Sequence, residues 1–198
     1  MARQQQRSSK RAEREKARQA KLRKQRYQKI TLGLAAAVLL AGVVFLFRPG
    51  PAPTGTATTT GWDLPSLQGE GRITLAQFSG KPTVAAFFAS WCPHCQRELP
   101  GFATLANQIG DEVNFVGINS QDSGNGSGLA RRSGIDAWPL ARDVGGSDGR
   151  SLSAAFGARG MPLTVIYAPD GSVADVNLGA IDAGRLLGKL QTLFAVGG

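Results

Sequence analysis

The sequence predicts an α/β domain, and three observations carry that reading. A continuous apolar run at residues 83–89 ends just before Cys92-Pro93-His94-Cys95. Apolar residues then recur at helical spacing through Leu99, Phe102, Leu105, Ala106 and Ile109. A second apolar run follows at residues 113–118. Strand, helix and strand in that order make a parallel crossover unit, and strands buried on both faces read as unbroken hydrophobic stretches. At 198 residues the chain has room for one such domain with appendages.

The appendages come first. Residues 1–29 hold twelve of the 23 Lys and Arg against Glu13 and Glu15, a net +10. Residues 30–198 then carry −1, so the overall +9 belongs to the tail and the domain is nearly neutral. No aromatic interleaving or groove-reading motif accompanies the charge, which argues against nucleic acid and leaves anionic lipid of the inner leaflet as the tail's expected partner. Residues 30–47 are eighteen consecutive uncharged, mostly apolar positions. At about 1.5 Å per residue they span roughly 27 Å of hydrocarbon. A core helix would show a polar face, and residues 30–40 show almost none. A cleaved signal peptide is the rival reading, because small residues and prolines follow at positions 51–55. The 29-residue basic lead is longer than a usual n-region and favours an uncleaved signal anchor. Positive charge ahead of the span sets the N-terminus in the cytoplasm. The expected location is therefore the cytoplasmic membrane, single-pass, with everything after Arg48 outside.

Residues 48–61, rich in Pro, Gly and Thr, read as a flexible linker, and residues 62–198 as the domain. Within it, the helix at 93–109 contains Pro100, which is expected to kink it. Residues 119–128 and 145–151 are polar and Gly-rich and read as loops. Residues 163–167 and 173–178, joined by Ala168-Pro169-Asp170-Gly171, read as a hairpin. A last amphipathic helix covers residues 182–194, with Asp182 as its N-cap.

Two cysteines and one histidine bound the chemistry. A zinc site or a Cys-His-Asn hydrolase lacks partners, and Gln96 after Cys95 excludes a Cys-x-x-Cys-His haem attachment. A peroxidase would want a Thr-x-x-Cys context, which is absent. A structural staple is the plain alternative, but so short a loop stabilises by only about 2 kcal/mol. Thiol-disulfide exchange needs an attacking thiolate and a resolving thiol, and Cys92 and Cys95 suit those roles. Cys92 stands where the strand gives way to a helix, so unpaired N–H groups and the helix dipole favour its thiolate. Pro93 in the first turn costs no hydrogen bond. Cys95 is expected on the same face and more buried. His94 between the cysteines is expected to favour the Cys92 thiolate and so the dithiol form.

These residues carry a resemblance. The segment from Phe87 through Trp91-Cys92-Pro93-His94-Cys95 to Glu98-Leu99-Pro100, with Gly80-Lys81-Pro82 upstream and Gly160-Met161-Pro162-Leu163-Thr164 downstream, resembles the TlpA/ResA/DsbE-like branch of the thioredoxin superfamily. The likeness covers about residues 62–196. It implies a thioredoxin fold, a central mixed β-sheet flanked by helices, behind an N-terminal transmembrane helix. It also implies a cis Pro162 facing the disulfide, with Met161 backbone pairing to substrate, and active-site tuning by Trp91, Pro93, His94 and Glu98. Glu98 matches an acidic position that assists proton transfer, although a solvated helix residue would look the same. Two departures stand out: Ala86 occupies a position that often holds a buried acid, and Pro93-His94 is the dipeptide of DsbA oxidases.

The expected protein is a thiol-disulfide oxidoreductase of exported proteins, possible as a reductase in cytochrome c biogenesis. The alternatives are a DsbA-like oxidase and, in another class, a redox-inert adaptor. No cofactor or metal beyond the redox-active Cys92-Cys95 disulfide is expected. The expected partners are exported thiol or disulfide proteins and a membrane redox protein that recycles the pair.

Overall fold

The computed structural model describes residues 59–144 and 151–197. The basic tail, the apolar stretch 30–47 and most of the linker lie outside them. Among the described residues no helix is long and apolar enough to cross a membrane.

In chain order the strands are β1 (Asp63–Pro65), β2 (Arg72–Thr74), β3 (Thr83–Phe88), β4 (Asn114–Ser120), β5 (Leu140–Asp143), β6 (Leu163–Tyr167) and β7 (Val173–Leu178). The helices are α1 (Pro93–Ile109), α2 (Gly126–Ser133), α3 (Leu152–Ala155) and α4 (Ala183–Phe194), with a 3-10 turn at Leu75–Phe78. Five strands form one mixed sheet in the order β5-β4-β3-β6-β7. The β3–β4 and β4–β5 pairs are parallel, and β3–β6 and β6–β7 antiparallel.

Every residue of β3 is buried, because each of its faces has its own cover. Val84, Ala86 and Phe88 join Leu99, Phe102, Leu129, Leu186 and Leu190, which come from α1, α2 and α4. Ala85 and Phe87 join Trp62, Leu64, Leu75, Phe78 and Leu152, from the N-terminal hairpin, the 3-10 turn and α3. The backbone of β4 must come close to this packing. A Cβ on Gly117 would stand 2.6 Å from Leu140 Cδ2 and 3.2 Å from Phe88 Cε1, so glycine here spares those side chains from shifting.

The helix at Pro93–Ile109, the hairpin of β6 and β7, and a last helix capped by Asp182 match the expected elements. Other elements differ. Residues 119 and 120, read as loop, complete β4, and residues 126–128, also read as loop, open a helix that runs to Ser133. Three devices build α2 from a polar, Gly-rich stretch. The Asn125 side chain accepts a hydrogen bond from the Gly128 N–H at 2.7 Å. Gly134 at φ 74 closes the helix in the left-handed region. Gly126 leaves room for Asn119, whose Nδ2 would lie 2.5 Å from any added Cβ. The β1–β2 hairpin, β5 and α3 have no local periodicity to announce them, being three to four residues long. Asp143 fastens α3 by accepting the Leu152 and Ser153 N–H groups at 2.6 and 3.0 Å.

Candidate active site

Cys92 is the N-cap of α1, with extended backbone at φ −86 and ψ 109, and Pro93 opens the first turn. A helix start leaves its first N–H groups without intrahelical partners, and the cap satisfies one of them here. The Cys95 N–H donates to Cys92 Sγ at 3.1 Å. Cys92 and Cys95 form a disulfide with Cα atoms 5.3 Å apart. Cys95 is fully buried, as expected, and Cys92 is hardly less so: relative exposure is 1% at Cys92 and 0% at Cys95. The disulfide sits in the apolar cluster beneath α1, while Trp91, at 54%, Pro93 and His94 are exposed.

A polar bracket holds the segment that leads into Cys92. The Asp122 carboxylate accepts from the Ser90 N–H at 2.6 Å, the Ser90 hydroxyl at 2.7 Å, Asn119 Nδ2 at 2.7 Å and the Gly124 N–H at 2.8 Å. Burial alone would raise this carboxyl, but the hydrogen bonds from Asn119, Ser90 and Gly124 outweigh it and hold it below the usual carboxylate range. The Trp91 indole N–H donates to the Gln121 carbonyl at 2.8 Å, and Gln121 adopts φ 52. Sequence reading placed this stretch in a loop and missed its role. The signal was present in Asp122-Ser123-Gly124, an Asx-turn pattern.

Glu98 is 8% exposed, not solvated. Burial pushes its carboxyl up to about 7, only partly offset by the Ile181 N–H that donates to it at 3.1 Å. It lines a cavity of about 340 Å³ together with His94, Arg97, Ile181 and Arg185. His94 is exposed, and in this disulfide form its Nδ1 lies 2.9 Å from Arg97 Nη2.

The Met161–Pro162 peptide bond is cis. Met161 is half-buried and packs against the cluster that contains both cysteines. Pro162 is buried, and its carbonyl accepts the Gly179 N–H at 3.0 Å. A groove of about 420 Å³ runs past Arg159, Met161, Pro162 and Leu178. A larger cavity, about 520 Å³, is lined by Trp62, Thr83 and Gly171 at the opposite end of β3 and holds neither cysteine.

The fold and the site together define a thioredoxin-like protein with a redox-active cysteine pair, a thiol-disulfide oxidoreductase. A model of the AhpC/TSA family matches residues 50–176, and the chain belongs to that family. It is 29% identical over 157 residues to the thiol:disulfide interchange protein DsbE of Pseudomonas aeruginosa, covering 75% of this chain and 84% of that one. It is 26% identical over 119 residues to the thiol-disulfide oxidoreductase ResA of Halalkalibacterium halodurans, covering 60% and 65%. Among solved structures, MTB dsbF in its mixed oxidized and reduced forms superposes with a TM-score of 0.59 at 27% identity, covering 68% of this chain and 96% of that one. A secreted Mycobacterium tuberculosis disulfide oxidoreductase homologous to E. coli DsbE shares the fold, with a TM-score of 0.56 at 24% identity over 68% and 98% of the two chains.

Proposed function

We propose that this protein is a membrane-anchored, extracytoplasmic oxidoreductase that exchanges disulfides with exported proteins, acting as a reductase in cytochrome c maturation. The observation that carries the reading is the Cys92–Cys95 pair at the start of α1 with a buried acid three residues beyond Cys95. As a reductant, the Cys92 thiolate attacks a substrate disulfide and forms a mixed disulfide, releasing one substrate thiolate. Cys95 then attacks Cys92 Sγ, which frees the second substrate thiolate and restores the disulfide. Two electrons pass to the substrate, whose two thiolates take up the proton released by Cys95 and one from solvent. Glu98, with a carboxyl that titrates near neutrality, is suited to take the Cys95 proton as that thiol becomes a nucleophile. Met161 backbone beside cis Pro162 offers a platform on which an extended substrate pairs.

The anchoring rests on residues 30–47 and the +10 lead before them. A tag on the domain side is expected to be cleaved by protease added to spheroplasts, and protection of that tag would reverse the orientation. The names of the DsbE and ResA relatives support a place beside them. A DsbA-like oxidase is the second reading, favoured by Pro93-His94 between the cysteines.

Trapping decides between the two. With Cys95→Ala, non-reducing gels of membranes are expected to show adducts that reductant removes and that are absent from Cys92→Ala. Apocytochromes or their maturation factors among the adducts indicate the reductase, and diverse secreted proteins the oxidase. Adducts with Cys92→Ala alone would reverse the roles of the two cysteines, and none with either variant would favour a redox-inert adaptor.

A further inference from the structure

The bond between Arg97 and His94 bears on how oxidising the pair is. Arg97 Nη2 lies 2.9 Å from His94 Nδ1. A guanidinium has donors and no acceptor, so Nδ1 supplies the lone pair. A bond of that kind requires a neutral ring with its proton on Nε2. Both residues stand on α1, three positions apart, which brings their side chains together on one face without any movement of the loop. Asp182 and Arg185, from the neighbouring start of α4, line the same cavity and pair with each other at 3.4 Å. Among the described residues, the hydrogen bond to Cys92 Sγ comes from the Cys95 N–H. In the disulfide form, His94 thus serves Arg97.

We propose that Arg97 is a positioning residue that holds His94 as a neutral imidazole, and that this keeps the cysteine pair less oxidising than Pro93-His94 alone would make it. Opening the disulfide puts negative charge on Cys92, and an imidazolium, or an imidazole turned towards the sulfur, stabilises that charge. With Arg97 in place, either change must break the bond to Nδ1. The dithiol form consequently gains less from His94 than it would in a chain without Arg97. A bare charge effect has the opposite sign, because a guanidinium near Cys92 would itself favour the thiolate.

The inference rests on Cys92 and Cys95 being the redox pair, and one titration tests both. The full-length chain in detergent is equilibrated with glutathione buffers at pH 7, and the dithiol fraction is read by alkylation and mass. Arg97→Met is expected to shift the dithiol-to-disulfide ratio towards dithiol by roughly threefold, the scale of one exposed hydrogen bond. The same substitution in a His94→Ala background is expected to give no shift towards dithiol. A shift towards disulfide with His94 in place, an equal shift in both backgrounds, or no shift in either would overturn the positioning role while leaving the redox reading intact. Failure of the unsubstituted chain to equilibrate with glutathione would overturn both.

Discussion

Asp122 and Glu98 both lie beside the segment that carries the disulfide, yet the fold holds one ionised and drives the other towards neutrality. Asp122, half-buried, receives four hydrogen bonds, from Ser90 twice, Asn119 and Gly124. Glu98 is more deeply placed and receives one, from the Ile181 N–H. Burial acts on both in the same direction. The number of donors that meet the carboxylate decides which way each group moves. A carboxylate surrounded by donors is a structural pin, and a buried one with a single donor is a group whose proton is easily exchanged at neutral pH.

The largest expected effect tests the Glu98 half of this contrast. Its folded value, about 7, lies above the unfolded one near 4.5, so the folded state binds the extra proton. The resulting stability is present below pH 4.5 and is lost as pH rises through about 7, to the extent of about 3 kcal/mol. Urea unfolding of wild type should decline over that window, while Glu98→Gln stays flat and is the more stable of the two at pH 8. The same variant should slow disulfide exchange by about tenfold at pH 7 and erase any inflection of the rate near that pH. A parallel decline in both proteins would place the titration elsewhere.

Asp122 should behave with the opposite sign. Its folded value is depressed, so its contribution is present above the ordinary carboxylate range and is lost as pH falls through the folded value. Asp122→Ala leaves Ser90 and Asn119 donors unpaired and should cost about 2 kcal/mol at pH 7, seen as a lower urea midpoint. The difference from wild type should shrink below pH 4.

A carboxylate that caps a helix at the surface gives a third point on the scale. The Asp182 side chain accepts the Arg185 N–H at 2.9 Å. Asp182→Ala should cost about 1 kcal/mol by the same measurement. The smallest effect belongs to the half-buried Lys189–Asp175 pair, 2.7 Å apart. Asp175→Asn should change stability by less than about 0.5 kcal/mol, and less still in high salt. Should Asp175→Asn prove as costly as Asp122→Ala, the donor count would not be what separates these carboxylates.

The redox pair at a strand-to-helix junction was legible from residues 83–109 alone. An unbroken apolar run, a Cys-x-x-Cys and a 3.6-residue period are local patterns, and local patterns encode local structure. The β6–β7 hairpin and the Asp182 cap were legible for the same reason. Helix α2 was not, because Gly126-Ser127-Gly128 has loop composition and its glycines make sense only once Asn119 and the Asn125 cap press against them. Elements of three or four residues, such as β1, β2 and β5, are too short to show a period at all.

The state of each acid lay further out of reach. Sequence by itself determined where the sulfurs sit, the order of the main strands and helices, and that Glu98 follows Cys95 by one helical turn. Tertiary structure decided that Glu98 is buried, through an Ile181 83 residues away, and that Asp122 grips a Ser90 32 residues away. The physical reason is that a carboxyl's charge depends on the water it loses and the donors it gains. Both are supplied by parts of the chain that become neighbours only when the sheet and its covering helices have assembled.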